Sequence, residues 1–516
     1  MELGISLVPL AVTGVSTGLY GRACVSVGDP RGRPIPSQRL GAGDQVRLYS
    51  PKGANKRGDL EGEGVSEITG VVGKVTETIV EVISEDADEA GSLQAPLRLD
   101  VVASEATHKK LMLGLEALEK YPGGGPAERV INVLFGVEPP SLVRSTAGAL
   151  TSTPPPPAGP PSGAPAEPTV QVPTALKSLN DSQREAVVFA LSTRDVALIH
   201  GPPGTGKTTA VVALIREAVR LGWRCLVCAP SNVAVDGILE RLVAAEPGSG
   251  TGGHGGVSRK SGDGNQPRVV RMGHPARLLP QVLEHSMEAL VSRHEGTAIV
   301  KDVRKEIDQL VTKLYGAPGR GEDGGGGGGG GGGGRKSRSS PRVRGADRKE
   351  YRREVKTLRK EARAREGKVV REVLRSRNVV LATCVGAATY YLREEEFDLV
   401  IIDEAAQALE AACWIPVLKG RRLVLAGDHK QLAPTVKSRK AEAGLPPLPP
   451  LSDTGPGSSS ADSSGSGGAD GLGLTMFDRV LRDIGHDVCR MLDVQYRMNQ
   501  DISRWASHEA SSLFGL

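Results

Sequence analysis

Aromatic residues make up only 3% of the 516 positions, and cysteine occurs only six times. The thiols at 24, 225, 228, 384, 413 and 489 are too few and too scattered to frame a disulfide scaffold, which excludes the small secreted class and suits a reducing compartment. Cys225 and Cys228 form a C-x-x-C inside the apolar run WRCLVCAP, with no second pair nearby. Buried strand thiols are therefore favoured over metal or redox work. No run approaches the roughly 18 uninterrupted apolar residues of a membrane helix. The opening MELGISLVPLAVTG lacks the basic start and small-residue cleavage site of a signal peptide. The expectation is a soluble intracellular protein with no membrane partner, in the cytoplasm, the nucleus or both. Net charge is small too, at +5, yet residues 335–377 carry 18 Lys/Arg against 6 Asp/Glu, a local excess of +12.

What abounds is glycine, 67 residues, with 35 prolines, and both gather in tracts. Residues 139–173, with TPPPP and GPPSGAP, read as a disordered Pro-rich linker. The eleven-glycine run 324–334 and the inserts 248–267 and 442–472 read the same way. The remainder, within a chain 39% hydrophobic, suffices for two or more cores. Residues 1–104 hold strand-like runs (CVSVGD, QVRLYS, GVVGKVTETIVEVIS, PLRLDVVAS) at the spacing of a small antiparallel β-barrel. Leu111, Leu115 and Leu118 recur at helical spacing, and Val130 to Phe135 suggests a second helix, so 105–138 reads as connecting helices. Residues 174–274 and 379–441 alternate apolar strands (VALIH, CLVCAPSN, RNVVLATC, FDLVIIDE, RRLVLAGD) with helical segments. That pattern predicts an α/β fold with a parallel sheet covered on both faces and ligands at the strands' carboxyl ends. Between these two parts, 275–378 reads as a basic helical insertion, with helices over 275–315 and 347–377 flanking the glycine loop.

One stretch carries the chemistry. VALIH leads into Gly201-Pro202-Pro203-Gly204-Thr205-Gly206-Lys207-Thr208-Thr209, a phosphate loop opening a helix. Small glycines let backbone N–H groups close round phosphate oxygens, the lysine reaches the β/γ-phosphates, and Thr208 meets Mg²⁺ at a helix N-terminus whose dipole favours anions. After Leu399 to Ile402 come Asp403 and Glu404, suited to hold Mg²⁺ and to orient and deprotonate the attacking water respectively. Gly427-Asp-His-Lys-Gln431 and Gln495-Tyr-Arg-Met498 are weak signals alone. The first offers an amide to sense the γ-phosphate; the second offers an arginine for transition-state charge and a tyrosine for base stacking.

Leu179 to Gln183, GPPGTGKT, Ala229-Pro-Ser-Asn-Val-Ala-Val-Asp236, Thr383-Cys-Val-Gly-Ala387, Asp403-Glu-Ala-Ala-Gln407, GDHKQLAPT and VQYRMN form an ordered set. Together they resemble superfamily 1 helicases of the up-frameshift type, most closely the immunoglobulin-mu-binding-protein helicases. The match runs from about Gly18 to Trp505, broken by the inserts, and includes TGLYGR, VRMGHPARLL and ALEAACWIPVL. The resemblance implies an ATP- and Mg²⁺-dependent motor of two RecA-like domains, with a β-barrel and a helical insertion on the first, moving 5′ to 3′ on single-stranded DNA or RNA. By the same resemblance Gln183 reads adenine, with Tyr496 a weaker match for stacking on it. Lys207, Thr208, Asp403 and Glu404 keep the roles given above, Gln431 senses the γ-phosphate and Arg497 reaches ATP from the second RecA-like domain. Pro230, Ser231, Asn232 and Thr383 would hold the nucleic-acid backbone without sequence preference. Residues 473–516 would finish the first RecA-like domain and begin an incomplete second one, because the two later family motifs are not among these 516 residues; the resemblance then implies either a fragment of a longer product or a short form that binds without working as a motor. A chain that binds ATP and nucleic acid without efficient hydrolysis is the alternative expectation, and a non-helicase P-loop ATPase a third. For the basic stretch, a supplementary grip (Arg359, Lys360, Arg363, Arg365) and a solvated helix face both remain open. DNA versus RNA preference, pathway and protein partners are not fixed by these residues.

Overall fold

The computed structural model describes residues 2–17, 22–35, 40–41, 43–50, 67–84, 93, 95–102, 105–141, 174–244, 266–273, 278–315, 345–436 and 471–499. The Pro-rich linker beyond Ser141, the glycine run, nearly all of both inserts and everything past Asn499 lie outside the described residues. The chain divides into two compact units. One comprises Met1–Ala106, His274–Leu278 and Leu283–Arg375, the other Thr107–Gly273, Leu279–Val282 and Ser376–Leu516.

In the first unit, β1 (Glu2–Thr17), β2 (Ala23–Gly28), β3 (Gln45–Tyr49), β4 (Glu67–Val75), β5 (Ile79–Ser84) and β6 (Leu97–Val102) close a barrel in the order β1-β2-β5-β4-β3-β6. Strand β1 was not among the predicted runs, because Gly4, Pro9 and Gly14 weaken a strand reading. Here its first half pairs with β6 and its second half with β2, with register shifts at 7/10 and 12/14. Such irregularities bend a strand, which lets one long strand serve two neighbours and close the barrel. The predicted run GVVGKVTETIVEVIS is a hairpin of β4 and β5. Alternate residues, among them Val25, Val27, Val46, Leu48, Val80, Val82, Leu97 and Leu99, are fully buried inside, as the period of two requires.

The same unit holds most of the insertion, but not Leu279–Val282. Instead of one helix over 275–315 there are a 3₁₀ turn at Pro280–His285, a helix at Met287–Arg293 and another at Thr297–Tyr315. The reason lies at the helix ends: the Ser286 hydroxyl accepts from Ala289 N at 3.1 Å and caps a new helix, and the Thr297 hydroxyl donates to Val291 O, satisfying a carbonyl in the last turn of that helix. The 31-residue helix Gly345–Arg375 packs on Thr297–Tyr315 through Ile307, Leu310, Val311, Val355 and Ala362. Arg304 donates from Nε to Glu366 Oε1 at 2.8 Å, a carboxylate only 1% exposed. Arg359 corrects an expectation. It lies on the inward face with Val355 and Ala362, 7% exposed, so it is not a surface contact.

The second unit is a seven-stranded sheet. Its strands are β7 (Val196–His200), β8 (Cys225–Ala229), β9 (Val269–Arg271), β10 (Val379–Thr383), β11 (Leu399–Ile402), β12 (Leu423–Gly427) and β13 (Cys489–Met491), all parallel, in the order β13-β7-β12-β11-β8-β10-β9. Central strands are buried at every residue, which is why they read as unbroken apolar runs. Cys225 and Cys228 are fully buried free thiols on β8. The three-residue edges β9 and β13 escaped the sequence reading. Helices Glu105–Glu119 and Glu128–Leu134 belong to this unit, where Phe135 stacks on Trp414 with centroids 5.5 Å apart. The parallel α/β sheet of this unit is that of a RecA-like core, and the first unit is a closed six-stranded β-barrel with helices. No described helix is long and apolar enough to cross a membrane.

Candidate nucleotide and nucleic-acid site

Because every strand of the sheet is parallel, all their carboxyl ends share one edge, and the motif residues fall there. Strand β7 ends at His200 and turns through 201–206 into the helix Lys207–Arg220. Gly204 and Gly206 have φ of 80° and 78°, the left-handed region that favours glycine. A Cβ on Gly206 would lie 2.5 Å from Gln183 Nε2, and one on Gly204 would lie 2.7 Å from Arg497 Cβ, so neither position accepts a side chain. The turn is locked further: Gly201 N donates to Gly427 O at 3.0 Å and the Thr205 hydroxyl to Pro202 O at 2.8 Å.

Across the mouth of this loop, at the end of β11, lie Asp403 and Glu404. Lys207 Nζ is 2.8 Å from Glu404 Oε1 and 3.8 Å from Asp403 Oδ1. Burial pushes the Asp403 carboxyl up to about 6, Glu404 adds to the rise, and Lys207 opposes it. Glu404 has φ of 54°, the sole non-glycine with positive φ among the described residues. Backbone strain of this kind persists where surroundings over-determine a functional position. Its Oε2 accepts from Gln407 Nε2 at 3.1 Å, which aims the carboxylate. A buried carboxylate incompletely neutralised by Lys207, facing a glycine cradle at a helix N-terminus, fits a divalent cation with a polyphosphate; Asp403 and Thr208 would hold the cation.

After β12, Asp428 organises its own loop. Burial acts against its ionised form, but hydrogen bonds from His200 Nε2 (3.1 Å), Gln431 Nε2 (3.0 Å) and Lys430 N (3.0 Å) prevail and hold it down to about 2. Gln431 is thereby tethered to the strand beside the phosphate loop. Gln183 caps the helix Asp181–Ser192 reciprocally with Asn180, and its Nε2 donates to Thr205 O at 2.8 Å. Its carboxamide is buried and supports the phosphate loop directly. Tyr496 comes to the same place: its N donates to Gly204 O at 2.9 Å and its hydroxyl accepts from Asn180 Nδ2 at 2.9 Å. Arg497 follows it, exposed, with its N bonded to Gln495 Oε1. Thus the structure brings Gln183, Tyr496 and Arg497 to the loop from opposite ends of the unit.

On adjacent strands β8 and β10, Thr383 pairs in register with Ala229, which places Pro230, Ser231 and Asn232 beside Thr383 along the same edge. Ser231 caps the helix Asn232–Val243 by accepting from Ala234 N at 3.2 Å, and the Thr383 hydroxyl accepts from Gly386 N at 3.0 Å. Sequence reasoning missed what holds Asn232. Arg271, fully buried on β9, donates to Asp236 Oδ1 (2.6 Å), Met272 O (2.6 Å) and Asn232 Oδ1 (2.9 Å), while Asp236 Oδ2 accepts from Leu279 N at 3.0 Å. The signal available was VRMG within the resemblance, with no role attached to its arginine.

Two family models match the chain: one described as an AAA domain over residues 178–439, the other as the 1B domain of helicase SMUBP-2/HCS1 over residues 1–102. DNA-binding protein SMUBP-2 of Mesocricetus auratus is 35% identical over 520 residues, covering 98% of this chain and 41% of that protein. DNA polymerase alpha-associated DNA helicase A of Schizosaccharomyces pombe is 28% identical over 508 residues, covering 98% of this chain and 62% of that protein. ATP-dependent helicase NAM7 of Saccharomyces cerevisiae is 31% identical over 332 residues, covering 64% of this chain and 25% of that protein. The chain therefore spans about two fifths of the SMUBP-2 relatives it matches. With the 1B-domain match falling on the barrel and the AAA-domain match on the parallel sheet and phosphate loop, the chain belongs to the superfamily 1 helicases of the SMUBP-2 type.

Proposed function

We propose that this chain is an ATP-driven 5′-to-3′ helicase core acting on single-stranded DNA or RNA. The observation that carries the reading is the shared edge of one sheet: phosphate loop, Asp403-Glu404, Gln431 and the Ser231–Asn232 and Thr383 loops all lie at carboxyl ends of its parallel strands. In the reaction, Lys207 exchanges Glu404 for β/γ-phosphate oxygens, and the freed Glu404 carboxylate orients water and accepts its proton. Asp403 and Thr208 would hold Mg²⁺, which would supply charge neutralisation on the phosphates. Gln431, tethered to Asp428, relates the γ-phosphate position to the β12 loop. Tyr496 and Gln183 flank the nucleotide end reached from Asn180, and Arg497 stabilises transition-state charge. Pro230, Ser231, Asn232 and Thr383 contact the backbone of the strand.

A duplex carrying a single-stranded 5′ tail is expected to be displaced in the presence of ATP and Mg²⁺, and a 3′-tailed duplex to stay intact. Displacement of the 3′-tailed duplex would reverse the assigned direction. Retention of both duplexes, with ATP and single strand each bound, would instead support the alternative in which the chain binds without efficient turnover.

The helix Gly345–Arg375 adds a second element to this reading. Arg353, Lys356, Lys360, Arg363 and Arg371 are exposed at helical spacing, and Arg365 pairs with Glu361 at 2.6 Å. Changing Lys360, Arg363 and Arg371 together to alanine is expected to flatten the slope of log affinity against log salt by about 2 for a single strand. An unchanged slope would assign this face to solvent.

A further inference from the structure

The register of β7 on β12 sets Gly427 opposite His200, so His200, Asp428 and His429 converge immediately beside the phosphate loop. The two imidazole centroids are 4.8 Å apart, and Phe477 covers both rings, stacked 6.2 Å from His429 and edge-on 6.3 Å from His200. One donor atom from each of the three residues lies within 4.8 Å of the others. His200 Nε2 and Asp428 Oδ1 are 3.1 Å apart. His429 Nδ1 is buried from solvent and has no hydrogen-bond partner among the described residues. A buried imidazole nitrogen without a partner calls for an explanation, since such groups are nearly always satisfied. The family roles already assigned to the ATP site use neither imidazole.

We propose that His200, Asp428 and His429 bind one divalent transition-metal ion of the zinc class, an inhibitory site that clamps the phosphate-loop strand to the β12 loop. Two imidazoles and one carboxylate are borderline donors, which select Zn²⁺ and its neighbours over Mg²⁺. With bonds of about 2.1 Å in tetrahedral geometry, two donors on one ion stand about 3.4 Å apart. Donor atoms within 4.8 Å of one another must therefore close by up to about 1.4 Å, which requires imidazole rotation together with a small shift of the β12 loop. Asp428 has the capacity: Oδ1 faces His200 while Oδ2 holds Gln431 Nε2 at 3.0 Å. An ion in this position would fix Gln431 through Asp428 and fix Gly201 through His200. A loop so held would no longer follow the γ-phosphate. The effect on turnover rests on the helicase reading, whereas metal binding does not.

The test uses the whole 516-residue chain, stripped with chelator and titrated with ZnCl₂ in excess Mg²⁺ by calorimetry. Expected are one equivalent bound and a raised unfolding temperature; in His429→Phe, which keeps a ring against Phe477, the zinc affinity falls at least about tenfold and the rise in unfolding temperature is lost. His429→Asn serves as the second variant, and retained ATP binding confirms that each variant is folded. Substituting Co²⁺ separates sites: imidazole and carboxylate ligation gives no thiolate charge-transfer band, whereas capture by the cysteines does. Zinc should also inhibit ATP turnover of the parent chain and spare His429→Phe. Zinc bound equally by parent and variants, or a thiolate band, would overturn the site. Zinc bound and lost in the variants with no change in turnover would retain the site and refute its inhibitory role. A parent chain without ATP turnover under any condition would leave the binding arm intact and count against the helicase reading alone.

Discussion

Glu404→Gln is expected to lower ATP turnover by about 10²- to 10⁴-fold, the usual contribution of a positioned general base, while ATP still binds. The substitution keeps size and shape at a position with φ of 54°, where a smaller or branched residue would also disturb the backbone. It removes the carboxylate that sits 2.8 Å from Lys207 Nζ. The lysine then has no competing anion of that strength, so ATP affinity should hold or rise. Steady-state hydrolysis and equilibrium binding of a fluorescent ATP analogue read the two effects separately. A loss of affinity with turnover per bound ATP unchanged would place Glu404 in binding and not in the chemical step.

A comparable loss, in stability, is expected from Arg271→Met. The guanidinium is fully buried and satisfies Asp236, the Met272 carbonyl and Asn232 together. Removing it strands a carboxylate that is 1% exposed, a change that costs about 3–5 kcal/mol. For a unit of this size that corresponds to roughly a 10 °C fall in its unfolding transition. Replacing the pair, Arg271→Met with Asp236→Leu, should recover much of the loss, because apolar substitution of both partners of a buried pair is often neutral. Single-strand affinity should not recover with it, since Asn232 loses its anchor in both variants. Scanning calorimetry and strand-binding titrations distinguish these outcomes. A fall of about 1 °C or less in the single variant would mean that water reaches Asp236 and the network is not a buried one.

The sheet was legible because parallel strands buried on both faces read as near-continuous apolar runs, and VALI, CLVCA, LVII and LVLAG do, with the polar His200 closing β7. The phosphate loop and Asp403-Glu404 were legible because their chemistry demands particular residue types at fixed local spacing. Other features depend on partners far along the chain. Strand β1 is a strand despite Pro9 because β2 and β6 both pair with it, and β9 and β13 exist only as three-residue additions to β10 and β7. Arg271 and Asp236 are 35 residues apart, and His200 and Asp428 are 228 apart, so no local pattern joins them. Arg359 is different. Its spacing from Val355, Ala362 and Glu366 already put it on the inward face, and net charge concealed that phase.

The central claim, that this edge of the sheet hydrolyses ATP in response to a bound strand, is tested most directly by ATP hydrolysis with and without single-stranded DNA or RNA, beside Glu404→Gln. The account predicts turnover that the strand stimulates and that the substitution abolishes. Hydrolysis that the strand leaves unchanged, or that survives in Glu404→Gln, would contradict it.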